Sequence, residues 1–223
     1  MRFNFLHIDF PWGVGADKFG QSSAPAHGDY DDRPEVFDRL CQTLGDNLDR
    51  LCESSAHMIF WFPIKHYSNV FGFLQSLGPD WTVNPVPLIW AKPGEGIIPR
   101  PEHDPRQCYE AAFFCTRGGL PIVQSVDNVR SAPTVKGRHM SEKPAEMLRH
   151  FFRMIVSEHT TMLDPTCGSG SALRAAQSLM ARRVLGLEVN PDFAALAKLA
   201  LEVAELGEAG DEIEQSNRER SGE

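Results

Sequence analysis

The sequence predicts an α/β protein in which a mostly parallel sheet is flanked by helices. Short apolar runs typical of buried strands alternate along the chain with longer segments whose apolar residues recur at helical spacing. This alternation is the pattern of βαβ units, whose helices cover both faces of a sheet. The 223 residues, of which 42% are apolar and 23% charged, also match one globular domain with a sizeable core.

The predicted strands are short and stop at or next to a proline or a charged residue. In chain order they are Phe3–Ile8, His57–Phe62, Val86–Ala91, Glu110–Thr116, Thr161–Asp164 and Val184–Glu188. The segments between them carry apolar residues every three or four positions, which predicts amphipathic helices. These helices are Pro34–Cys52, Tyr67–Leu77, Pro144–Val156, Ser171–Met180 and Pro191–Leu206.

Three segments lack either pattern. Gly13–Asp32 is rich in Gly, Ser, Ala and Asp and is expected to be a mobile loop, and Gly94–His139 is loop-rich and comparatively basic. The polar and acidic residues 207–223 are expected to form a disordered tail. We therefore expect one domain over residues 1–206, with 94–139 as a short region available for recognising a target.

The net charge of −8 is concentrated at the end of the chain. Residues 201–223 hold eight acidic and two basic residues, so the first 200 residues carry only −2. A nearly neutral body neither excludes nor favours a nucleic-acid partner. No window is apolar enough to span a bilayer, and the amino terminus lacks a signal-peptide cleavage site. Five scattered cysteines without a CxxC pair favour neither disulfides nor zinc, so we expect a cytoplasmic protein without a metal site.

The most specific segment is Asp164–Ser171, which lies between a predicted strand and a predicted helix. Gly168 and Gly170 allow the backbone to approach a ligand closely, and Glu188 follows the next strand, where an acid can accept hydrogen bonds from a ribose. A generic turn with two glycines is the alternative. The third glycine of a dinucleotide fingerprint would fall at Leu173, and no Gly-Lys-Ser/Thr follows as in a P-loop. S-adenosylmethionine, which has a ribose but no phosphate, is the ligand of this type that remains.

A second motif, Asp9-Phe10-Pro11-Trp12, follows the first strand directly. An ionised Asp9 can accept one N–H of an amino group, and Pro11 holds Phe10 extended so that its carbonyl can accept the other. Trp12 offers a ring for stacking. These features suit a flat heterocycle that carries an amino group, although an ordinary turn with a buried tryptophan has the same composition.

Taken together, these motifs resemble those of the S-adenosylmethionine-dependent DNA methyltransferases that act on adenine N6 or cytosine N4. The turn Asp9–Trp12 resembles the family's Asp-Pro-Pro-aromatic motif, and Asp164–Gly170 resembles its Asp-Pro-Phe-x-Gly-Ser-Gly loop. Ser141–Pro144 resembles its Lys-Pro segment, and Pro87–Lys92 with Glu110–Phe114 resembles its WxK…E strand pair. The motif order is that of the permuted beta group, which implies a Rossmann-like class I methyltransferase fold and covers most of residues 3–200.

Two residues depart from the family pattern. Phe10 replaces the first proline, which keeps the backbone carbonyl but leaves φ of residue 10 free, and Thr166 replaces the usual phenylalanine. The chain also begins almost at the catalytic strand, so one strand common in the family is expected to be missing. That start, together with Trp12, is similar to the branch related to RNA adenosine methyltransferases and leaves RNA open as a substrate.

The resemblance implies a cytoplasmic enzyme that methylates an exocyclic amino group, with adenine N6 in DNA expected. Cytosine N4, adenosine N6 in RNA, a protein glutamine amide, or an inactive binding module with Phe10 as the lesion are the alternatives. A homodimer and membership of a restriction–modification pair stay open. The implied catalytic residues are Asp9, Phe10, Pro11 and Trp12. The implied cofactor residues are Ser141, Lys143, Asp164, Thr166, Cys167, Gly168, Gly170, Glu188 and Asn190. The expected nucleic-acid contacts are Arg100, Arg106, Arg130, Lys136 and Arg138.

Overall fold

Eight strands form one sheet in the computed structural model, which describes residues 1–12, 32–96, 98, 100–135 and 142–202. The strands are β1 (Phe3–Ile8), β2 (Cys52–Phe62), β3 (Trp81–Val83), β4 (Leu88–Ala91), β5 (Tyr109–Arg117), β6 (Val129–Ser131), β7 (Thr161–Asp164) and β8 (Arg183–Gly186). The helices are α1 (Pro34–Leu51), α2 (Tyr67–Gln75), α3 (Ala145–Phe152), α4 (Ser171–Gln177) and α5, which is described over 191–202. A short 3-10 helix, Ile64–His66, precedes α2.

The strand order is β6-β4-β5-β2-β1-β7-β8, and β3 pairs with the other end of β5. The pairs β1–β2, β1–β7, β7–β8 and β4–β6 are parallel, whereas β2, β3 and β4 all pair antiparallel with β5. Within the described residues, every strand except β5 therefore runs in the same direction. The prediction of a mostly parallel sheet is confirmed.

The chain reverses its path across the sheet next to β1. From β1 it passes through α1 to β2 on one side, while β7 and β8 extend the sheet on the other side. The carboxyl ends of β1 and β7 are thus neighbours at a topological switch point, where open α/β sheets leave a crevice for ligands. The segments that follow these two strands are the Asp9–Trp12 turn and the Asp164–Gly170 loop.

The core has two layers, one on each face of the sheet. Along β2, Met58, Phe60 and Phe62 pack on the face covered by α1 and α2, while Ile59 and Trp61 pack on the face covered by α3 and α4. Side chains alternate between the faces of a strand, so a strand buried on both sides reads as one apolar run. This burial explains why β2 was recognisable from its sequence.

The predicted bounds of β1 and β7 are confirmed, whereas most other bounds differ by a few residues. The strand β2 begins at Cys52 rather than His57, because its first residue already pairs with Phe3. The strand β8 ends at Gly186 rather than Glu188, because the chain there turns back to the glycine loop through hydrogen bonds of the Leu187 backbone. The three-residue strands β3 and β6 were not predicted, since so short a segment has no readable period.

The helices also end earlier than predicted. The helix α3 stops at Phe152 rather than Val156, and α4 stops at Gln177 rather than Met180. The predicted loop over residues 13–31, the end of the last helix and the tail 207–223 lie outside the described residues. Among the described residues, no helix has the length and apolar composition needed to cross a membrane.

Candidate active site

The carboxylate of Asp9 lies at the carboxyl end of β1 and is 23% exposed. Its Oδ2 accepts a hydrogen bond from Lys143 Nζ at 2.6 Å. The ammonium of Lys143 also lies over two aromatic rings, 5.4 Å from the centroid of Trp12 and 4.8 Å from that of Trp61. The structure thus places the lysine of the Lys-Pro segment against the predicted catalytic turn, a contact that the sequence did not predict.

Lys143 is the centre of a buried chain of charges. It is only 5% exposed, and its Nζ also lies 3.3 Å from Glu110 Oε2. The other oxygen of Glu110 pairs with Lys92, which directly follows β4. Burial by itself would raise the pKa of Glu110, but the two ammonium groups, Lys143 first, outweigh it and hold that pKa below its usual value. Burial likewise opposes the charge of Lys143, but Asp9 and Glu110 raise its pKa overall.

The two aromatic residues of the turn point in different directions. The ring of Phe10 is only 3% exposed and belongs to the core, where it meets Phe60 edge-on at a centroid distance of 5.8 Å. Trp12 is partly exposed and packs against the core on the opposite face of the sheet. Within the turn, Trp12 is therefore the aromatic ring available for stacking, and the backbone is the part of Phe10 that can face a ligand.

A hydrogen bond joins the turn to the glycine loop. Thr166 Oγ1 donates to the backbone carbonyl of Asp9 at 3.1 Å, across a sequence separation of 157 residues. The contact is possible because β1 and β7 are adjacent, with Leu6 opposite Leu163. The two motifs predicted to share a cleft are therefore in direct contact.

A buried polar chain holds the first residue of the glycine loop. Asp164 Oδ2 lies 2.8 Å from His7 Nδ1, and the indole N–H of Trp61 donates to His7 Nε2 at 3.0 Å. Since the indole can only donate, His7 Nε2 must accept, so Nδ1 carries the proton that it donates to Asp164. Asp164 Oδ1 in turn accepts the backbone N–H of Thr166 at 3.1 Å. The sequence analysis missed His7, although a histidine within an otherwise apolar strand was the available signal.

The glycine loop and Glu188 form a small cradle. Glu188 Oε2 accepts the backbone N–H of Gly168 at 2.9 Å, and its Oε1 accepts that of Asn190 at 2.8 Å. Gly168 has φ +52° and Gly170 has φ +81°, a left-handed region that disfavours residues with a Cβ. A Cβ at Gly168 would meet nothing within 4 Å, so open space lies beside the loop. Open space next to a fixed carboxylate fits a ribose diol, and hence S-adenosylmethionine.

Two predicted cofactor residues have other partners. The side-chain oxygen of Asn190 accepts the N–H groups of Asp192 and Phe193 at 2.9 and 3.3 Å, which caps the start of α5. Burial raises the pKa of the Cys167 thiol to about 12, so it is not a nucleophile at neutral pH. Its Sγ packs so closely on β8 that a Cβ at Gly186 would lie 2.6 Å away.

Arg174 of α4 ties the Lys-Pro segment to the glycine loop. Its guanidinium donates to the carbonyl of Ser169 and to Glu142 Oε1, both at 2.9 Å. Glu142 directly precedes Lys143, so this arginine helps to place the lysine beside Asp9. The sequence analysis missed Arg174, whose one signal was a cation in an otherwise small and apolar helix.

The predicted nucleic-acid residues lie in segments that leave the same edge of the sheet, but those described have partners within the chain. Arg100 makes two hydrogen bonds to Asp104, at 2.8 and 2.9 Å. Arg106 donates to the carbonyl of Gly96 at 3.3 Å, and Arg130 pairs with a glutamate of α3. Lys136, Arg138 and the predicted cofactor residue Ser141 lie outside the described residues. The described part of the chain has no group of three or more His, Cys, Asp or Glu that could hold a metal ion.

Comparison with known proteins places this geometry in context. A family model described as DNA methylase matches residues 3–199. No curated protein matches the chain. Among solved structures, the M1.HpyAVI–SAM complex is 15% identical with a TM-score of 0.64, and the match covers 90% of each chain. PvuII DNA methyltransferase, which is cytosine-N4-specific, is 10% identical with a TM-score of 0.61, covering 88% of this chain and 78% of that one. A DNA modification methylase of Thermus thermophilus, complexed with S-adenosyl-L-methionine, is 16% identical with a TM-score of 0.59, covering 92% and 88%.

Proposed function

The chain belongs to the DNA methylase family of N6-adenine and N4-cytosine amino-methyltransferases, and from this membership we propose that it methylates the N6 amino group of adenine in DNA. The methyl donor is S-adenosylmethionine. The observation that carries the proposal is the contact between the Asp9–Trp12 turn and the glycine loop, through Thr166 Oγ1 and the Asp9 carbonyl. A group held by one motif would lie next to a group held by the other, as methyl transfer requires.

The Asp9–Trp12 turn would bind the target amino group. Asp9 accepts Lys143 on Oδ2, which assigns Oδ1 to one N–H of the amine, and the Phe10 carbonyl accepts the other. Two fixed acceptors stabilise the positive charge that develops on the nitrogen as it forms its new bond. The amine afterwards loses a proton, which passes by way of the Asp9 carboxylate to water. Lys143 holds the carboxylate in place and disfavours its permanent protonation.

The cradle beside the turn would hold the cofactor. Glu188 is positioned to accept the ribose hydroxyls, and the open space at Gly168 leaves room for a close approach to the backbone. Val189, whose side chain is 96% exposed next to Glu188, offers an apolar contact for the adenine ring. When bound, S-adenosylmethionine supplies a methyl group activated by its sulfonium. Asp164 and Ser141 are proposed to contact the remaining, polar part of the molecule.

A base within a duplex cannot reach such a crevice, so the target nucleotide must leave the helix. Trp12, the partly exposed ring of the turn, is positioned to stack on the extruded base, and the larger surface of a purine gains more from this contact. Arg100, Arg106 and Arg130 lie on segments at this edge and are proposed to contact phosphates after exchanging their present partners. Lys136 and Arg138 are proposed for the same role.

The proposal is tested by incubating the purified chain with labelled S-adenosylmethionine and DNA, then identifying the methylated nucleoside by mass spectrometry. We expect N6-methyladenine. Asp9→Asn should lower transfer by at least about a hundredfold, because it removes the charge that stabilises the developing cation, while changing the dissociation constant of S-adenosylmethionine less than about twofold. Asp46→Asn, which changes an exposed carboxylate on α1, is the matched control and should retain full activity.

Each other outcome counts against a defined part of the proposal. N4-methylcytosine as the product would replace adenine, and methylation of RNA but not DNA would replace the polymer. Cofactor binding without transfer to any substrate would indicate an inactive binding module. Full activity of Asp9→Asn would remove the turn from the reaction.

A further inference from the structure

We propose that Thr166 and the buried ring of Phe10 together fix the backbone at residue 10, and that Thr166 is therefore a positioning residue for the Phe10 carbonyl. The inference rests on the proposed function, in which that carbonyl accepts an N–H of the target amine. Position 10 is not a proline, so no ring closure holds its φ angle. Two tertiary contacts supply the restraint instead.

The φ angle of residue 10 relates two groups, the peptide plane between Asp9 and Phe10 and the Cα–Cβ bond of Phe10. The first group is held because Thr166 Oγ1 donates to the Asp9 carbonyl, which lies in that plane, at 3.1 Å. The second is held because the Phe10 ring is 3% exposed and packs edge-on against Phe60. With both ends held, rotation about the N–Cα bond is restricted. Pro11 then restricts ψ of Phe10 to extended values, which sets the direction of its carbonyl.

The Thr166 hydroxyl is itself held by rigid parts of the fold. The backbone N–H of Thr166 donates to Asp164 Oδ1 at 3.1 Å, while Asp164 Oδ2 is held by His7 at 2.8 Å. His7 belongs to β1 and Asp164 to β7, and these two strands are paired. The donor is therefore fixed to the same pair of strands that carries the turn, so the hydrogen bond can restrain the turn rather than follow its movements.

The test compares Thr166→Val, which keeps the shape but lacks the hydroxyl, with Thr166→Ser, which keeps the hydroxyl. The substrate is the DNA that the wild-type chain methylates. Thr166→Val should lower kcat about five- to tenfold, the equivalent of one net hydrogen bond. The KM for DNA and the dissociation constant of S-adenosylmethionine, the latter measured by calorimetry without turnover, should each change less than about twofold, because the hydroxyl acts on the turn alone. Thr166→Ser should retain kcat within about twofold of the wild type.

A second arm places Thr166→Val in a Phe10→Pro background, where proline restores the restraint on φ. There the loss caused by Thr166→Val should shrink to about twofold or less, because the hydroxyl is no longer needed to hold the turn. If Phe10→Pro does not fold, Phe10→Leu replaces it. Leucine is a looser anchor, so the loss caused by Thr166→Val should then exceed that in the wild type.

The outcomes separate this inference from the proposed function. A wild-type chain that methylates nothing would refute the proposed function and leave no turnover to compare. An active wild type with an equally active Thr166→Val variant would overturn the inference alone. It would also be overturned if Thr166→Val weakened cofactor binding about tenfold at unchanged kcat, or if Thr166→Ser were as impaired as Thr166→Val.

Discussion

Replacing Lys143 with methionine would remove a buried ammonium from between two carboxylates. Methionine has a similar length, so the main loss is the charge and its hydrogen bonds to Asp9 at 2.6 Å and to Glu110 at 3.3 Å. Removing one member of a buried ion pair costs about 3–5 kcal/mol, because the remaining charge is left without compensation. Asp9 is 23% and Glu110 16% exposed, and Glu110 keeps Lys92. Both facts favour the lower end, about 3 kcal/mol.

The size of this loss should depend on pH. The depressed pKa of Glu110 means that its contribution is present above 4.5, the ordinary value, and is lost as the pH falls through the depressed value. The raised pKa of Lys143 means that its contribution is present below 10.5 and is lost as the pH rises through the raised value. Both contributions are complete at about pH 7.5. The difference between variant and wild type should therefore be largest near neutral pH and should narrow in the acid range below pH 4.5.

The assay is equilibrium unfolding by urea and by heat, monitored by tryptophan fluorescence and circular dichroism. At neutral pH, Lys143→Met should lower the melting temperature by roughly 6–12 °C, the shift expected for about 3 kcal/mol in a chain of this size. Lys198→Met is the matched control, since that lysine is 79% exposed and forms only a helical i,i+4 pair. It should cost less than about 0.5 kcal/mol. Adding Glu110→Gln to Lys143→Met should recover part of the loss. Equal stability of Lys143→Met and Lys198→Met would refute the buried-network reasoning.

Two further predictions concern stability. Burial lowers the pKa of His57, whose Nε2 lies 3.0 Å from the Leu120 carbonyl, so the unfolded chain takes up a proton that the native chain resists. Lowering the pH from about 7.5 to about 5.5 should therefore destabilise the wild type about 1 kcal/mol more than His57→Gln, as urea titrations can measure; an equal loss in both would contradict this. Gly170→Ala should lower stability by about 2 kcal/mol, since φ is +81° and the new Cβ would lie 2.9 Å from that of Ala197. Gly72→Ala, in open space within α2, should instead stabilise the protein by about 0.5–1 kcal/mol, and a Gly170→Ala variant as stable as the wild type would show that the loop tolerates a side chain.

Local sequence pattern carried most of the information about the fold. Strands such as β1 and β7 were readable because a strand buried on both faces is an uninterrupted apolar run. Segments held by their partners alone were not readable. The three-residue strand β6 exists because Val129–Ser131 pairs with the end of β4, and β2 extends back to Cys52 because β1 offers it a partner.

The sequence by itself determined which residues stand at the carboxyl ends of the strands, since Asp9, Asp164 and Glu188 each follow a recognisable apolar run. The tertiary structure decided which of them touch and what else joins them. Lys143 lies 134 residues from Asp9, and Thr166 lies 157 residues from it, yet both bind it because β1 and β7 are adjacent. Propensity and periodicity act over a few residues, whereas contacts between charges depend on the order in which strands are placed side by side.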